Sequence, residues 1–485
     1  MRSRRVRLAL ACLLVLLVAG MPAVTGRVSI LDFGAVPNSN NFYVATRNAA
    51  ALMAAAQNAS QLPLGADRTV YVPPATFYMA PSSYTGLHDL TFEIDGELIA
   101  PLNMSLWPTD DHNNSLPIFQ FTNCSRLLLT GSGVVDGQGY DWWWLIILNI
   151  IHTRPHMLCM DLCQDVEIAN LRFKNSAQFH LRLHDIHNFT IHGISIEVDV
   201  EAQRELLANH GLLTTEAHAP LPIGIPTFPL NTDGIDPAGT KVHIYNVTIQ
   251  NFDDAVAIKP ASSKFVLSNC SRDYLVENST VRFGVGMTIG SVPPNLGINC
   301  VENVLFRNIR FEAPIKGVYI KTNPGEDGYG VIRNVTYRNL TMENPLWWSI
   351  YIGPQQQKQP DGHGPGCMIY PLNPDCPTNP RITISDITLE DINATNALLS
   401  PGILRCNASN PCTNMVFRNV HVQGGSWPTS SFICENFDGT FDDVSPLPNC
   451  SQTPAQHVQH PQQVALQGNV WPAPVMSQDK DILAD

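Results

Sequence analysis

The segment Asn231-Thr-Asp-Gly-Ile-Asp236 and the pair Asp253-Asp254 set four carboxylates within a short stretch of chain. Carboxylates brought close together cannot all ionise comfortably, so at least one pKa rises. A carboxylic acid held protonated beside ionised neighbours can protonate a leaving group while the neighbours activate a water, the division of labour that breaks a glycosidic bond. The same oxygen-rich set, Asp233, Asp236, Asp253 and Asp254, could instead hold Ca²⁺. Each segment alone also reads as an ordinary turn or a solvated corner. Whether they make a site depends on the elements that carry them.

Those elements repeat. An apolar-x-apolar triplet, two residues that often include Asn, Asp or Gly, and a second apolar-x-apolar triplet recur as Val166–Phe173, Phe189–Ile196, Val242–Ile249, Tyr274–Val281 and Val304–Phe311, with further copies starting at Val335, Ile382 and Met415. Each half alternates with period two and predicts a short strand with one buried face, and the polar pair turns the chain. Such a unit buries its inner face only by stacking on its neighbours. The shortest repeat leaves no room for a crossover helix, so the fold class is all-β, a parallel β-helix solenoid of single-stranded coils. A β-propeller would need blades of about 40–50 regularly spaced residues and a blade signature. Thr46 to Gln61, rich in Ala, predicts a helix capping the first coil. One coil of about 20 residues then separates Asp233 from Asp253-Asp254 and returns the chain one strand spacing, ~4.8 Å, away, which puts three carboxylates on one face. Counted from the coil starts, Asp253/Asp254, Val285/Gly286 and Leu346/Trp347 share one position, and Lys259 and Lys321 share another two coils apart. Such rows predict a groove along the axis.

The 485-residue chain is 44% hydrophobic and 15% charged, too apolar for general disorder, and its net charge of −13 argues against a nucleic-acid partner. Residues 1–26 read as a secretory signal, with Arg2, Arg4, Arg5 and Arg7 before the apolar run Leu8–Ala19. Its removal takes four Arg and no acid, leaving −17. Trp142 to Ile151 is too short to span a membrane, so no membrane contact is expected after the signal is removed. Thirteen N-x-S/T sequons, from Asn58 to Asn449, agree with export, although N-x-T also suits the repeat's turns. The pairs Cys367/Cys376, Cys406/Cys412 and Cys434/Cys450 suit local disulfides, and the odd cysteine count after signal removal leaves one thiol over. The expected organisation is a signal peptide (1–26), one β-helix domain (27–451) and a disordered tail rich in Gln and Pro (452–485).

Along residues 28–425 the chain resembles the polygalacturonase-type glycoside hydrolases of family 28. The resemblance is carried by Leu31-Asp-Phe-Gly-Ala35, Gly131-Ser-Gly-Val-Val-Asp-Gly-Gln-Gly139, Asn231-Thr-Asp-Gly-Ile-Asp236, Asp253-Asp-Ala-Val-Ala-Ile-Lys259, Gly284-Val-Gly-Met-Thr-Ile-Gly-Ser291 and Gly317-Val-Tyr-Ile-Lys-Thr322. It implies a right-handed coil and hydrolysis of α-1,4-galacturonide linkages in pectin-type polysaccharide, with inversion and without a metal or other cofactor, by a monomer. It makes Asp253 the general acid, gives Asp233 and Asp254 the water, gives Lys321 a substrate carboxylate, and lets Asn231 shape the cleft. Two positions depart from the family pattern: Val285 stands where His is usual and Tyr319 where Arg is usual. Gly362-His363-Gly364 spells the missing triplet in a different loop. Lys259, Tyr319 and His180, with Arg182, are further candidates for substrate contact, and Trp347, Trp348 and Tyr351 for sugar stacking or packing. Two other readings fit the residues: a non-catalytic polysaccharide-binding β-helix and a calcium-dependent lyase. An acidic chain acting on a polyanion requires either an acidic medium, where both partners lose charge, or a local positive path, for which Lys259, Arg282 and Lys321 are available.

Overall fold

The computed structural model describes residues 26–209, 229–261, 270–294, 299–356, 366–367 and 369–450. The expected signal peptide and tail, His363, and most of the segment between Val198 and Pro229 lie outside the described residues. Among those described, 28 strands join through parallel pairings into one right-handed β-helix.

The repeat is the ladder of this coil. Val166 pairs with Phe189, Phe189 with Val242, Val242 with Tyr274, Tyr274 with Val304 and Val304 with Val335. The polar position between the two triplets adopts left-handed backbone, with φ of 63° at Asn170, 53° at Asn246, 52° at Asn278, 57° at Asn308 and 54° at Asn339. Asn tolerates that region better than most residues, which bends the chain from one face to the next. Neighbouring corners also bond: the Asn339 amide donates to Asn308 at 2.8 Å and the Asn308 amide to Asn278 at 3.0 Å. Part of the Asn-rich sequon pattern is therefore structural. One repeat start is corrected: Val335 pairs with Ile387, not Ile382. Ile382–Asp386 and Ile387–Asp391 both fit the pattern within the long strand Ile382–Ala397, both Asp residues sit at corners, and only the stacking register distinguishes them.

On the sheet that carries the site, Val256, Ile258, Met287, Ile289, Val318, Ile320, Ile350 and Ile352 point into the core. Between them Ala257, Thr288, Tyr319 and Tyr351 pair in turn and form the outer row. The Ala-rich helix runs from Phe42 to Gln61, four residues longer than predicted, because the Asn41 side chain caps it by accepting from the Tyr43 amide at 2.8 Å. It lays Ala45, Ala49, Leu52, Ala56 and Ala59 over the end of the core. Two helices, Tyr140–Ile147 and Val200–Asn209, flank the coil, and Trp143 packs with Val198, Val200, Phe252 and Phe283.

The three expected disulfides are present. A fourth, Cys270–Cys300, joins residues 30 apart in sequence but one coil apart in space, beside the Ser271–Val301 pairing. Three buried thiols, Cys124, Cys159 and Cys163, remain instead of one. No helix among the described residues is long and apolar enough to cross a membrane.

Candidate active site

Asp233 lies just before the strand Ile235–Tyr245, and Asp253-Asp254 lie between Thr248–Asn251 and Val256–Ile258 in the following coil. Ile235 pairs with Val256, and the Gly234 amide donates to the Asp254 carbonyl at 2.9 Å. A Cβ at Gly234 would stand 2.4 Å from the Ala255 carbonyl oxygen, so glycine lets the two turns approach. Asp233, Asp253 and Asp254 consequently each place an oxygen within 4.8 Å of the others.

Their environments differ. Asp254 is fully buried, accepts from Thr288 Oγ1 at 2.8 Å and meets Lys321 Nζ at 2.7 Å. Asp253 is half-buried and accepts from the Asn231 amide at 2.8 Å and the Asp254 amide at 2.9 Å. Burial and then Asp254 raise its carboxyl above the ordinary range, against the pull of Lys321 and the two amides. Asp233 is pushed up further, by burial and by Asp236, Asp253 and Asp254. Asp236 rises to about 6, again through burial, with Lys259 opposing. Burial works against the charge of Lys321, but Asp254 and Asp253 outweigh it and hold the ammonium. Burial and mutual repulsion thus favour the protonated form of Asp233 and Asp253, while Asp254 is engaged by the Lys321 ammonium and the Thr288 hydroxyl.

The remaining candidates fall in distinct places. Lys259 Nζ lies 3.5 Å from Asp236 Oδ2, with the lysine side chain 22% exposed. Asn231, at φ 56°, gives its amide to Asp253, and its side-chain oxygen accepts from Arg154 Nη2 at 2.9 Å. His180, expected to contact substrate, is buried with no exposure. Its Nε2 accepts from the Ser176 amide and its Nδ1 donates to the Asp233 carbonyl at 2.9 Å, and burial lowers its pKa to about 4, so it is a neutral prop for Asp233. Tyr319, also expected at the groove, is buried edge-on against Tyr351, among Trp348, Leu399, Ile403 and the Cys367–Cys376 bridge. An aromatic cluster forms where a flexible polar side chain would reach outward. Trp348 and Tyr351 are fully buried, while Trp347 and Val285 pack half-buried on that cluster. The Val285 amide donates to the Asp253 carbonyl at 2.7 Å.

Two supporting residues escape a reading of the sequence. Thr288 could have been found, since it lies inside the Gly284–Ser291 segment and in the row of Tyr319. Arg154 carries no local signal: it reaches across the fold to the Leu230 carbonyl at 2.6 Å and to Asn231, and clamps the turn before Asp233.

Asp233, Asp253 and Asp254 are near enough to share a cation, but Lys321 already supplies a fixed positive charge to Asp254. A protonated carboxyl beside an anchored carboxylate is a donor and an acceptor set against the same small volume, the requirement for protonating a leaving group and activating water.

Comparison with known proteins agrees. The sequence profile described as Glycosyl hydrolases family 28 matches residues 65–445. An exopolygalacturonase of Zea mays is 25% identical over 384 residues, which cover 77% of this chain and 80% of that protein. A polygalacturonase of Cryptomeria japonica is 26% identical over 365 residues, 72% of this chain but only 59% of that longer protein. Among solved structures, an endo-xylogalacturonan hydrolase from Aspergillus tubingensis shares the fold with a TM-score of 0.60 at 20% identity, over 84% of this chain and 95% of that one. With the profile spanning most of its length, the chain belongs to glycosyl hydrolase family 28 and is a glycoside hydrolase of the polygalacturonase type.

Proposed function

We propose that the protein is a secreted hydrolase of pectin-type polysaccharide that cleaves α-1,4-galacturonide linkages without a metal. The observation that carries this reading is the carboxylate trio within 4.8 Å, with Asp254 paired to Lys321 and Asp253 half-buried beside it. Of the two carboxyls raised in pKa within it, Asp253 is the more exposed, and it donates its proton to the glycosidic oxygen as the bond to the anomeric carbon breaks. Asp254, held by Lys321 and Thr288, accepts the proton of the attacking water, which Asp233 orients. The leader, the sequons and the four disulfides support export.

We further propose inversion, on the family resemblance.

The test is incubation with polygalacturonate, xylogalacturonan and rhamnogalacturonan, following reducing ends, ultraviolet absorbance and the first anomer by proton NMR. Saturated products, unaffected by a chelator and released first as the β-anomer, are expected. An α-anomer first would establish retention. A chelator-sensitive absorbance rise would make the protein a calcium-dependent lyase, and binding without any cleavage would make it a binding protein.

A further inference from the structure

Lys316 is a second buried ammonium beside the trio, and nothing in the chemistry above uses it. It opens the strand Lys316–Thr322 and is 3% exposed. The pairing of Val256 with Met287 and of Met287 with Val318 sets Asp254, Val285 and Lys316 in one row, each two residues before its paired partner. Lys316 Nζ sits 3.7 Å from the centroid of the Tyr319 ring and 4.7 Å from that of Tyr351. Lys321 Nζ, 4.8 Å from the same Tyr319 ring, is already paired with Asp254. Among the described residues no carboxylate lies within 4.0 Å of Lys316 Nζ, and its side chain makes no hydrogen bond.

A positive charge taken out of water without a counter-ion is unfavourable, and two aromatic faces offset only part of that. The groups acting on it are Lys321, Asp253, Asp254 and the two tyrosines. Burial and then Lys321 lower its pKa to about 7, with Asp254 and Asp253 pulling the other way. What the position lacks is an anion. The two rings fix the ammonium in place, two coils along the row from the turn that holds Asp253 and on the strand where Tyr319 stands in place of the other expected cation.

We infer that Lys316 receives a carboxylate of the uronate substrate, on the C-terminal side of Asp253, in place of the cation absent at Tyr319. This rests on the galacturonide reading. The ligand completes the ion pair, so binding discriminates uronate from the neutral sugar.

The test is calorimetric titration with digalacturonate and with digalactose at pH 6, in an Asp253→Asn background that stops turnover. Lys316→Met, close in volume, should weaken digalacturonate roughly ten- to hundredfold, the size of a lost charge-assisted hydrogen bond, and leave digalactose unchanged. Lys316→Arg should retain most of the preference for the acid. If digalacturonate binds and Lys316→Met changes neither its affinity nor its selectivity, Lys316 is structural and the inference is overturned with the hydrolase reading intact. Equal losses for both ligands would also overturn it. If digalacturonate does not bind at all, both fall. Should Lys316→Met fail to fold, the arginine variant decides, since loss of selectivity there with digalactose binding intact contradicts the inference.

Discussion

Lys321 Nζ stands 2.7 Å from Asp254 Oδ2, with the lysine side chain 4% and the aspartate side chain 1% exposed. Removing one partner of such a pair strands the other charge and typically costs roughly 3–5 kcal/mol, whereas an apolar replacement of both can be near neutral. Lys321→Met should therefore lower the urea midpoint sharply, and adding Asp254→Asn should recover much of it. Reducing-end release should stay low in both variants. A single variant as stable as the wild type would show that the pair is not the anchor of Asp254.

Asp253→Asn keeps the shape of the half-buried carboxyl and removes its transferable proton. Proton transfer by a positioned acid is worth roughly 10²–10⁴-fold, so kcat should fall by at least that order while KM changes little. Losses at Asp233, Asp253 and Asp254 should be far from additive, because the three act as one unit. Full activity in a well-folded Asp253→Asn protein would falsify the assignment of the acid.

Asp236 has a folded pKa of about 6 against an ordinary 3.8. The folded state binds this proton more tightly than the unfolded chain, so its contribution to stability is complete below pH 3.8 and is lost as pH rises through about 6. At roughly 1.4 kcal/mol per unit, the change is on the order of 3 kcal/mol. Asp236→Asn should flatten the fall in stability between pH 4 and pH 8, measured by urea titration at each pH. An unchanged slope would place the titration elsewhere in the cluster.

Val285 gives its amide to the Asp253 carbonyl and rests on the Tyr319 and Trp348 cluster. Val285→His would set an imidazole, with an ordinary pKa of roughly 6.5, beside the turn that holds Asp253. The variant should gain activity on polygalacturonate and acquire a new limb in its profile of kcat/KM against pH, absent from the wild type. A profile identical to the wild type's would mean that position 285 does not border the reacting carboxyls.

Much of this was legible in one dimension because a β-helix is nearly one-dimensional. Its coils return at near-regular intervals, so the alternation from Val166 to Val335 marked the rungs, and Lys259 and Lys321 could be placed in one row before any coordinates. Local pattern is ambiguous between Ile382 and Ile387, and it carries no sign of a bond that joins coils, as Cys270–Cys300 does. His180 and Tyr319 were misplaced for a common reason: a polar or amphipathic side chain on a strand can face either way, and only the packing around it decides.

By itself the sequence determined the residue types of the site, their order and the periodicity that brings Asp233 to Asp253 and Asp254. These follow from local hydrophobic alternation and from turn residues that the chain carries at each corner. The tertiary structure alone decided how the charges are shared. Arg154 clamps the Asn231 turn, Thr288 and Lys321 hold Asp254, and among the described residues Lys316 is left with two aromatic rings and no counter-ion. Protonation depends on burial and on charges a few ångströms away, and those distances are set by residues tens of positions apart in the chain.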